Sequence, residues 1–258
     1  VETFKRDRLK TPVSIRKADR ERRPRTVNSE LTTLSAIFAL AMTHKLIREN
    51  PCCKVKRLPY EEGPGSRLSA EEEKRLLAAA EVEHPFLKPM IQLAIWTGLR
   101  QGELIALTRG AIDFPRNRLF VLHTKWRKDK RKTEGVPVSE EVRGLLSDLC
   151  RETKGELLFT DQEGRRLTRY MVDGAFRRTC ARAEIEGLRF HDLRHEYGSR
   201  LGDADVNLKK IARLMGHSNT KQTERYVHPD DDGLLVATTV AARGGRARIV
   251  PERLHKVK

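Results

Sequence analysis

Four short segments, far apart in a chain of 258 residues, hold side chains that could break a phosphodiester. They are Thr97-Gly98-Leu99-Arg100-Gln101-Gly102-Glu103-Leu104, His191-Asp192-Leu193-Arg194-His195, Leu214-Met215-Gly216-His217-Ser218 and Glu224-Arg225-Tyr226-Val227. Opening a phosphodiester loads negative charge onto the phosphoryl oxygens in the transition state, and fixed cations aimed there lower the barrier. Arginine suits this because its planar fork gives two parallel hydrogen bonds and keeps its charge at any working pH. Arg100 follows a Thr-Gly turn at an expected helix start, where backbone N–H groups also favour anions. Arg194 stands one helical turn from His191. A tyrosine phenol, with a pKa of about 10, is ionised roughly once in a thousand at pH 7, a deficit of about 4 kcal/mol for a phenoxide nucleophile. Tyr226 therefore needs a proton acceptor, and imidazole titrates in the right range.

The departing 5′ oxygen needs a proton, which a lysine of lowered pKa can give. The candidate is Lys125, at the head of eight residues that hold six cations and one acid. Lys128 fits as well, Lys130 and Lys132 stay open, and each of these cations could equally grip a DNA backbone from a hairpin tip. Taken singly, either arginine would more often be a surface ion-pair partner, and Tyr226 a packing residue with a wet hydroxyl. Their joint appearance is what points to chemistry.

The elements that must position these groups are mostly helical. Val27, Leu31, Leu34, Ile37, Phe38, Met42 and Leu46 follow helical spacing until Asn50-Pro51 supplies a stop. Residues 1–25 carry ten basic and four acidic side chains and read as a loop or partial helix. Pro59, Gly63, Pro64, Gly65 and Ser66 mark a linker, and the expected division is 1–62, a helical domain with the start of the linker, and 63–258, the domain that carries the motifs. Ser69 with Glu72 forms a capping box that opens a helix to about Glu81, and Pro85 to Trp96 gives another. Segments 111–114, 118–124 and 134–138 predict a three-stranded antiparallel sheet. Ser139, Thr168 and Asn207 cap three further helices, the last stopping at Gly216. The expected fold is mostly α with one small antiparallel sheet.

Composition narrows the partner. Lys and Arg number 52 against 36 Asp and Glu, a net charge of +16 that suits a polyanion such as nucleic acid. No stretch approaches the roughly 20 apolar residues of a membrane span, and the charged N-terminus lacks a signal peptide's apolar region, so no membrane partner and a cytoplasmic, nucleoid-associated location are expected. Cys52, Cys53, Cys150 and Cys180 show no CxxC pairing and read as reduced, structural thiols.

These residues resemble those of the tyrosine recombinases, the phage integrase family. Thr97 to Leu104 is similar to the first arginine box, Thr124 to Pro137 to the lysine hairpin, and His191 to Tyr226 to the second box. The last is the most specific, since His-x-x-Arg, Gly-His-Ser and a Tyr nine residues after that His occur together in order. The resemblance implies a recombinase-like catalytic domain preceded by a partial core-binding domain that clamps double-stranded DNA. It implies that Arg100 and Arg194 hold the non-bridging oxygens, His217 donates a hydrogen bond, His191 assists proton transfer and Tyr226 forms a 3′-phosphotyrosine. Glu103 would buttress the site. Bond energy is kept in the protein–DNA link, so neither cofactor nor metal is implied. The family's arrangement further implies a homotetramer on two DNA sites, with accessory DNA-bending proteins and exchange of C-terminal segments such as Leu234-Leu235-Val236.

Three rival readings remain, one of them a topoisomerase of the same nucleophilic type, which would share these residues but relax supercoils without two matched sites. A non-catalytic DNA-binding protein of the same fold would explain charge and helices without the reactive set. His191 and His195, four apart, also match the zinc-ligand spacing of a metallohydrolase, although Asp192 stands where a glutamate base is expected.

Overall fold

The computed structural model describes residues 1–10, 22–60, 67–121, 130–217 and 220–226. The chain divides into two compact units, Val1–Pro64 and Gly65–Lys258.

In the first unit, α1 (Glu2–Lys10) pairs with α2 (Pro24–Thr43). Arg8 clamps Glu30 with two 2.8 Å hydrogen bonds, and Arg22 adds a third at 3.2 Å. Pro24 suits the first turn of α2, where its missing N–H has no intrahelical partner to lose. The buried Asn28 ties α2 to the segment around Leu58: its amide donates to the Leu58 carbonyl at 2.8 Å, and its Oδ1 accepts the Leu58 N–H at 2.9 Å. Helix α2 ends seven residues before Asn50. Lys45 adopts φ 57°, its N–H bonds the Met42 carbonyl and the Leu46 N–H bonds that of Ala41, so a Schellman cap closes the helix first. The apolar spacing that runs on to Leu46 therefore overshoots, and Leu46 is exposed.

In the second unit the most apolar helix is the centre of the core. Helix α3 (Ala70–Glu83) starts at Ser69, whose hydroxyl accepts from the Glu72 N–H while Glu72 accepts from Ser69 in return. Helix α4 (Leu87–Thr97) buries Leu87, Met90, Ile91, Leu93, Ala94 and Ile95. It is then followed by α5 (Gln101–Ile105). A three-stranded antiparallel sheet of order β1-β2-β3 comes next, from β1 (Ile112–Asp113), β2 (Arg118–Leu119) and β3 (Val136–Pro137). Its register pairs Ile112 with Leu119 and Leu119 with Val136. The strands are shorter than their β-favouring segments, and residues 122–124 of the second expected strand lie outside the described residues. One helical turn, α6 (Lys130–Thr133), stands between β2 and β3.

Helix α7 (Glu140–Glu152) begins at Ser139 and α8 (Arg169–Arg182) at Thr168, each capped by its hydroxyl as the sequence predicts. Helices α9 (Asp192–Asp203) and α10 (Leu208–Met215) complete the described helices, followed by single 3₁₀ turns at Thr220–Gln222 and Glu224–Tyr226. Around α4 pack α3, α7, α8 and α9, while α9 turns its other side to α10 and the Tyr226 turn. A smaller cluster of Ile211, Met215 and Tyr226, flanked by Tyr197, Leu201 and Val206, fills that second seam. All four cysteines are free thiols, and burial pushes Cys180 up to about 11 and raises Cys150. No helix among the described residues is long and apolar enough to cross a membrane.

Candidate active site

The site grows out of two helix ends. Helix α4 stops at Gly98, which takes the left-handed conformation at φ 63°. A Cβ there would stand 2.3 Å from the Tyr197 ring, so both the turn and the packing require glycine. Helix α10 stops in the same way at Gly216, φ 62°, with the His217 N–H reaching back to the Ala212 carbonyl. These two caps leave carbonyl oxygens pointing out of the helix ends, where the dipoles favour cations.

Arg194 joins them. Its guanidinium donates from Nη1 to the Gly98 carbonyl and from Nη2 to the Met215 carbonyl. Arg100, at the N-cap of α5, donates from Nη2 to the Gly216 carbonyl at 3.3 Å. The two arginines thus meet at the Met215-Gly216 turn although 94 positions separate them in the chain. Burial first, then the charges of Arg100 and Arg131, push Arg194 down to about 9, which still leaves it a cation at neutral pH.

A buried carboxylate bridges two of the cations. Glu103 Oε2 accepts the Arg100 backbone N–H at 2.8 Å, and its Oε1 accepts Arg100 Nη1 at 2.9 Å. Arg131, itself 1% exposed, adds Nη2 to Oε1 at 2.9 Å and Nη1 to Oε2 at 3.3 Å. Burial works to raise the Glu103 carboxyl, but the Arg131 charge, the Arg100 N–H and the Arg100 charge outweigh it, so its pKa lies below the ordinary value. Arg131 also passes so close to Gly216 that a Cβ there would lie 2.3 Å from its Nε. In sequence it is only one of six cations in the hairpin. What singles it out is a carboxylate 28 positions away, and no local pattern reveals that.

Tyr226 lies in the same seam. Its ring covers Gly198 of α9, where a Cβ would be 2.9 Å from Cε2, and its carbonyl oxygen would be 1.7 Å from a Cβ at Gly202. The pair Gly198 and Gly202, one turn apart on α9, is the sequence signal for this cradle. The Tyr226 oxygen interacts electrostatically with Arg194. The Tyr226 ring stacks near that of His217, with centroids 6.5 Å apart and planes at 16°. His217 Nδ1 in turn lies 2.8 Å from Oγ1 of the fully buried Thr223.

His195 is hydrogen-bonded to the tyrosine oxygen, its Nδ1 2.6 Å from Tyr226 Oη. His191 stands one turn earlier, its ring edge-on to that of His195 with centroids 5.0 Å apart. Burial, and then the Arg194 charge, lower the His191 pKa. Asp192 is turned away to Arg189, which binds it through Nε at 3.0 Å and Nη2 at 2.8 Å. Among the described residues no group of three or more His, Cys, Asp or Glu is placed to hold a metal ion. Lys125, Lys128 and the segment Leu234-Leu235-Val236 lie outside the described residues.

A helical domain with a small antiparallel sheet thus gathers two arginines, three histidines and a tyrosine at a seam between helix ends. Residues 66–232 match the phage integrase family, and the chain belongs to that family. The shufflon-specific DNA recombinase of Escherichia coli is 32% identical over 205 residues, covering 79% of this chain and 50% of that protein. The tyrosine recombinase XerC of Bacillus pumilus is 26% identical over 224 residues, covering 81% of this chain and 72% of the relative. This chain thus spans about half the length of the first of these. In fold it is similar to the Tn1549 transposon integrase in complex with transposon right end DNA, with TM-score 0.71, 24% identity and coverage of 84% of this chain and 79% of the other.

Proposed function

We propose that this chain is a site-specific recombinase that cuts and rejoins double-stranded DNA through a covalent 3′-phosphotyrosine at Tyr226. The observation that carries this reading is the meeting of Arg100 and Arg194 at the Met215-Gly216 turn, with the Tyr226 oxygen in electrostatic range of Arg194. A phosphate drawn to that turn finds fixed cations before any charge develops, the arrangement that lowers a phosphoryl-transfer barrier without reorganisation.

In this reading Arg100 and Arg194 hold the non-bridging oxygens, and His217 donates a further hydrogen bond from the ring edge away from Thr223. Tyr226 Oη forms a bond to phosphorus while the bond to the 5′ oxygen breaks. The phenolic proton passes to the imidazole pair of α9, which includes His191. The 5′ oxygen takes a proton from a lysine of the hairpin, Lys125 or Lys128. A 5′-hydroxyl from another strand then attacks the phosphotyrosine, and Tyr226 recovers its proton. One ester is exchanged for another at each stage, so the reaction requires no cofactor and no metal. The net charge of +16 supplies sequence-independent affinity for the DNA backbone through counterion release. The working assembly in this reading is a homotetramer on two DNA sites, with accessory DNA-bending proteins setting direction. The cellular location is the nucleoid.

The test uses a pool of randomised duplexes, each with one nick that lets the cleaved 5′ end diffuse away. Wild-type protein should accumulate a covalent adduct and Tyr226→Phe none, while both shift the mobility of duplex DNA. A mobility shift with no adduct in either protein would overturn strand transfer and leave a non-catalytic DNA-binding protein.

A further inference from the structure

A histidine outside the His-x-x-Arg motif contacts the nucleophile. His195, the residue after Arg194, lies with its Nδ1 2.6 Å from Tyr226 Oη. We propose, on the strand-transfer reading above, that His195 is the catalytic base that takes the Tyr226 proton during attack and returns it during resealing.

Three observations support this. The separation is within direct proton-transfer range, with no bridging water required. The contact is also held from both sides. The Tyr226 carbonyl and ring are seated against Gly202 and Gly198, and His195 lies on the same helix, so α9 fixes acceptor and donor together. Finally, Arg194 is adjacent in sequence and interacts with the Tyr226 oxygen, so a phenoxide would form beside a buried cation. One helix thereby delivers the phosphate-binding arginine and the base in register.

Proton and electron pairs balance. The Oη–H proton moves to His195 Nδ1, giving an imidazolium, as Oη bonds to phosphorus and the P–O5′ bond breaks. In the reverse step the incoming 5′-oxygen bonds to phosphorus, the P–Oη bond breaks and Nδ1 gives the proton back. This requires a neutral His195 whose proton sits on Nε2, leaving the Nδ1 lone pair toward the phenol. Among the described residues, the ionisable groups facing the pair include His191 one turn back on α9, Arg194 on the same helix and His217 from the end of α10. Arg100 and Arg131 lie behind Arg194 and act on it electrostatically.

Two measurements test the proposal. In the full chain labelled with 15N-histidine and free of DNA, His195 Nδ1 should show the resonance of an unprotonated nitrogen, and it should move in Tyr226→Phe. A proton resident on Nδ1 would overturn the proposal whether or not any variant folds. The second measurement is the adduct rate against pH on a nicked duplex that wild type captures from the randomised pool. His195→Asn keeps an acceptor atom near the position of Nδ1 but cannot take a proton. It should lower the rate by about 10²- to 10⁴-fold and abolish the acid limb of the profile. His191→Asn should retain that limb, and added imidazole should restore part of the rate to His195→Gly. Wild type forming adduct while His195→Asn keeps both rate and limb would remove this proposal alone. Wild type forming no adduct would remove strand transfer and this proposal with it.

Discussion

Replacing Glu103 by glutamine changes little in shape and tests whether the buried charge cluster holds the site together. Each carboxylate oxygen accepts from two donors: Oε2 from the Arg100 N–H and Arg131 Nη1, Oε1 from Arg100 Nη1 and Arg131 Nη2. Whichever way the new amide turns, its NH₂ faces two of those donors, and the negative charge opposite the buried Arg131 is gone. Removing one partner of a buried ion pair costs about 3–5 kcal/mol, because the other charge stays buried. For a domain of this size that is a drop in Tm of roughly 6–20 °C. Arg131→Met should cost less, since Glu103 keeps its hydrogen bonds from Arg100. The double variant should be more stable than the sum of the two losses predicts, because the guanidinium that lost the Glu103 charge is no longer there. Urea unfolding at pH 7 of wild type, both single variants and the double variant gives the coupling energy. The folded-state pKa of Glu103 is lowered, so its contribution is complete above the ordinary value of 4.5 and is lost as pH falls through the lower folded value. Wild type and Glu103→Gln should therefore converge in stability only in strong acid. A loss below about 1 kcal/mol at pH 7, or additive single and double losses, would refute the buried-pair argument.

Gly202→Ala places a methyl where the Tyr226 carbonyl now lies, so it should displace the 3₁₀ turn and abolish covalent adduct while the mobility shift on duplex DNA persists. Thr223→Val keeps the buried volume and removes a hydrogen-bond partner of His217 Nδ1; it should cost about 1–3 kcal/mol in urea unfolding and shift the His217 ring resonances in 15N spectra. Arg194→Lys cannot span the Gly98 and Met215 carbonyls with a forked pair of donors, and the adduct rate should fall by at least about 100-fold, equivalent to about 2.7 kcal/mol in the barrier. Ser69→Ala removes the capping box of α3, far from the chemistry. It should lower stability by about 1 kcal/mol with adduct rate unchanged at a temperature where the variant is folded.

Local signals carried much of the architecture. Hydroxyl caps at Ser69, Thr168 and Ser139 and the glycine stop at Gly216 act within three or four residues, so the sequence alone places α3, α7, α8 and α10 to within a few positions. Helix α2 ends earlier than its apolar spacing predicts because the left-handed Lys45 has no sequence signature as strong as glycine. The ordered motifs around Arg100, Arg194, His217 and Tyr226 likewise pointed to phosphodiester chemistry and to the family, since residue type and order survive in a linear string.

Contacts between distant segments were a different matter. That Arg131, among six neighbouring cations, is the one buried on Glu103 depends on how α6 is brought to Glu103 of α5 in the folded chain. That His195 rather than His191 reaches the phenol depends on the rotation of α9 about its own axis and on the seating of Tyr226 over Gly198 and Gly202. A helix brings its residues round every 3.6 positions, so both histidines fit one face in the sequence. Which of them meets the tyrosine is decided by packing against α4 and α10, and that is a property of the folded chain alone.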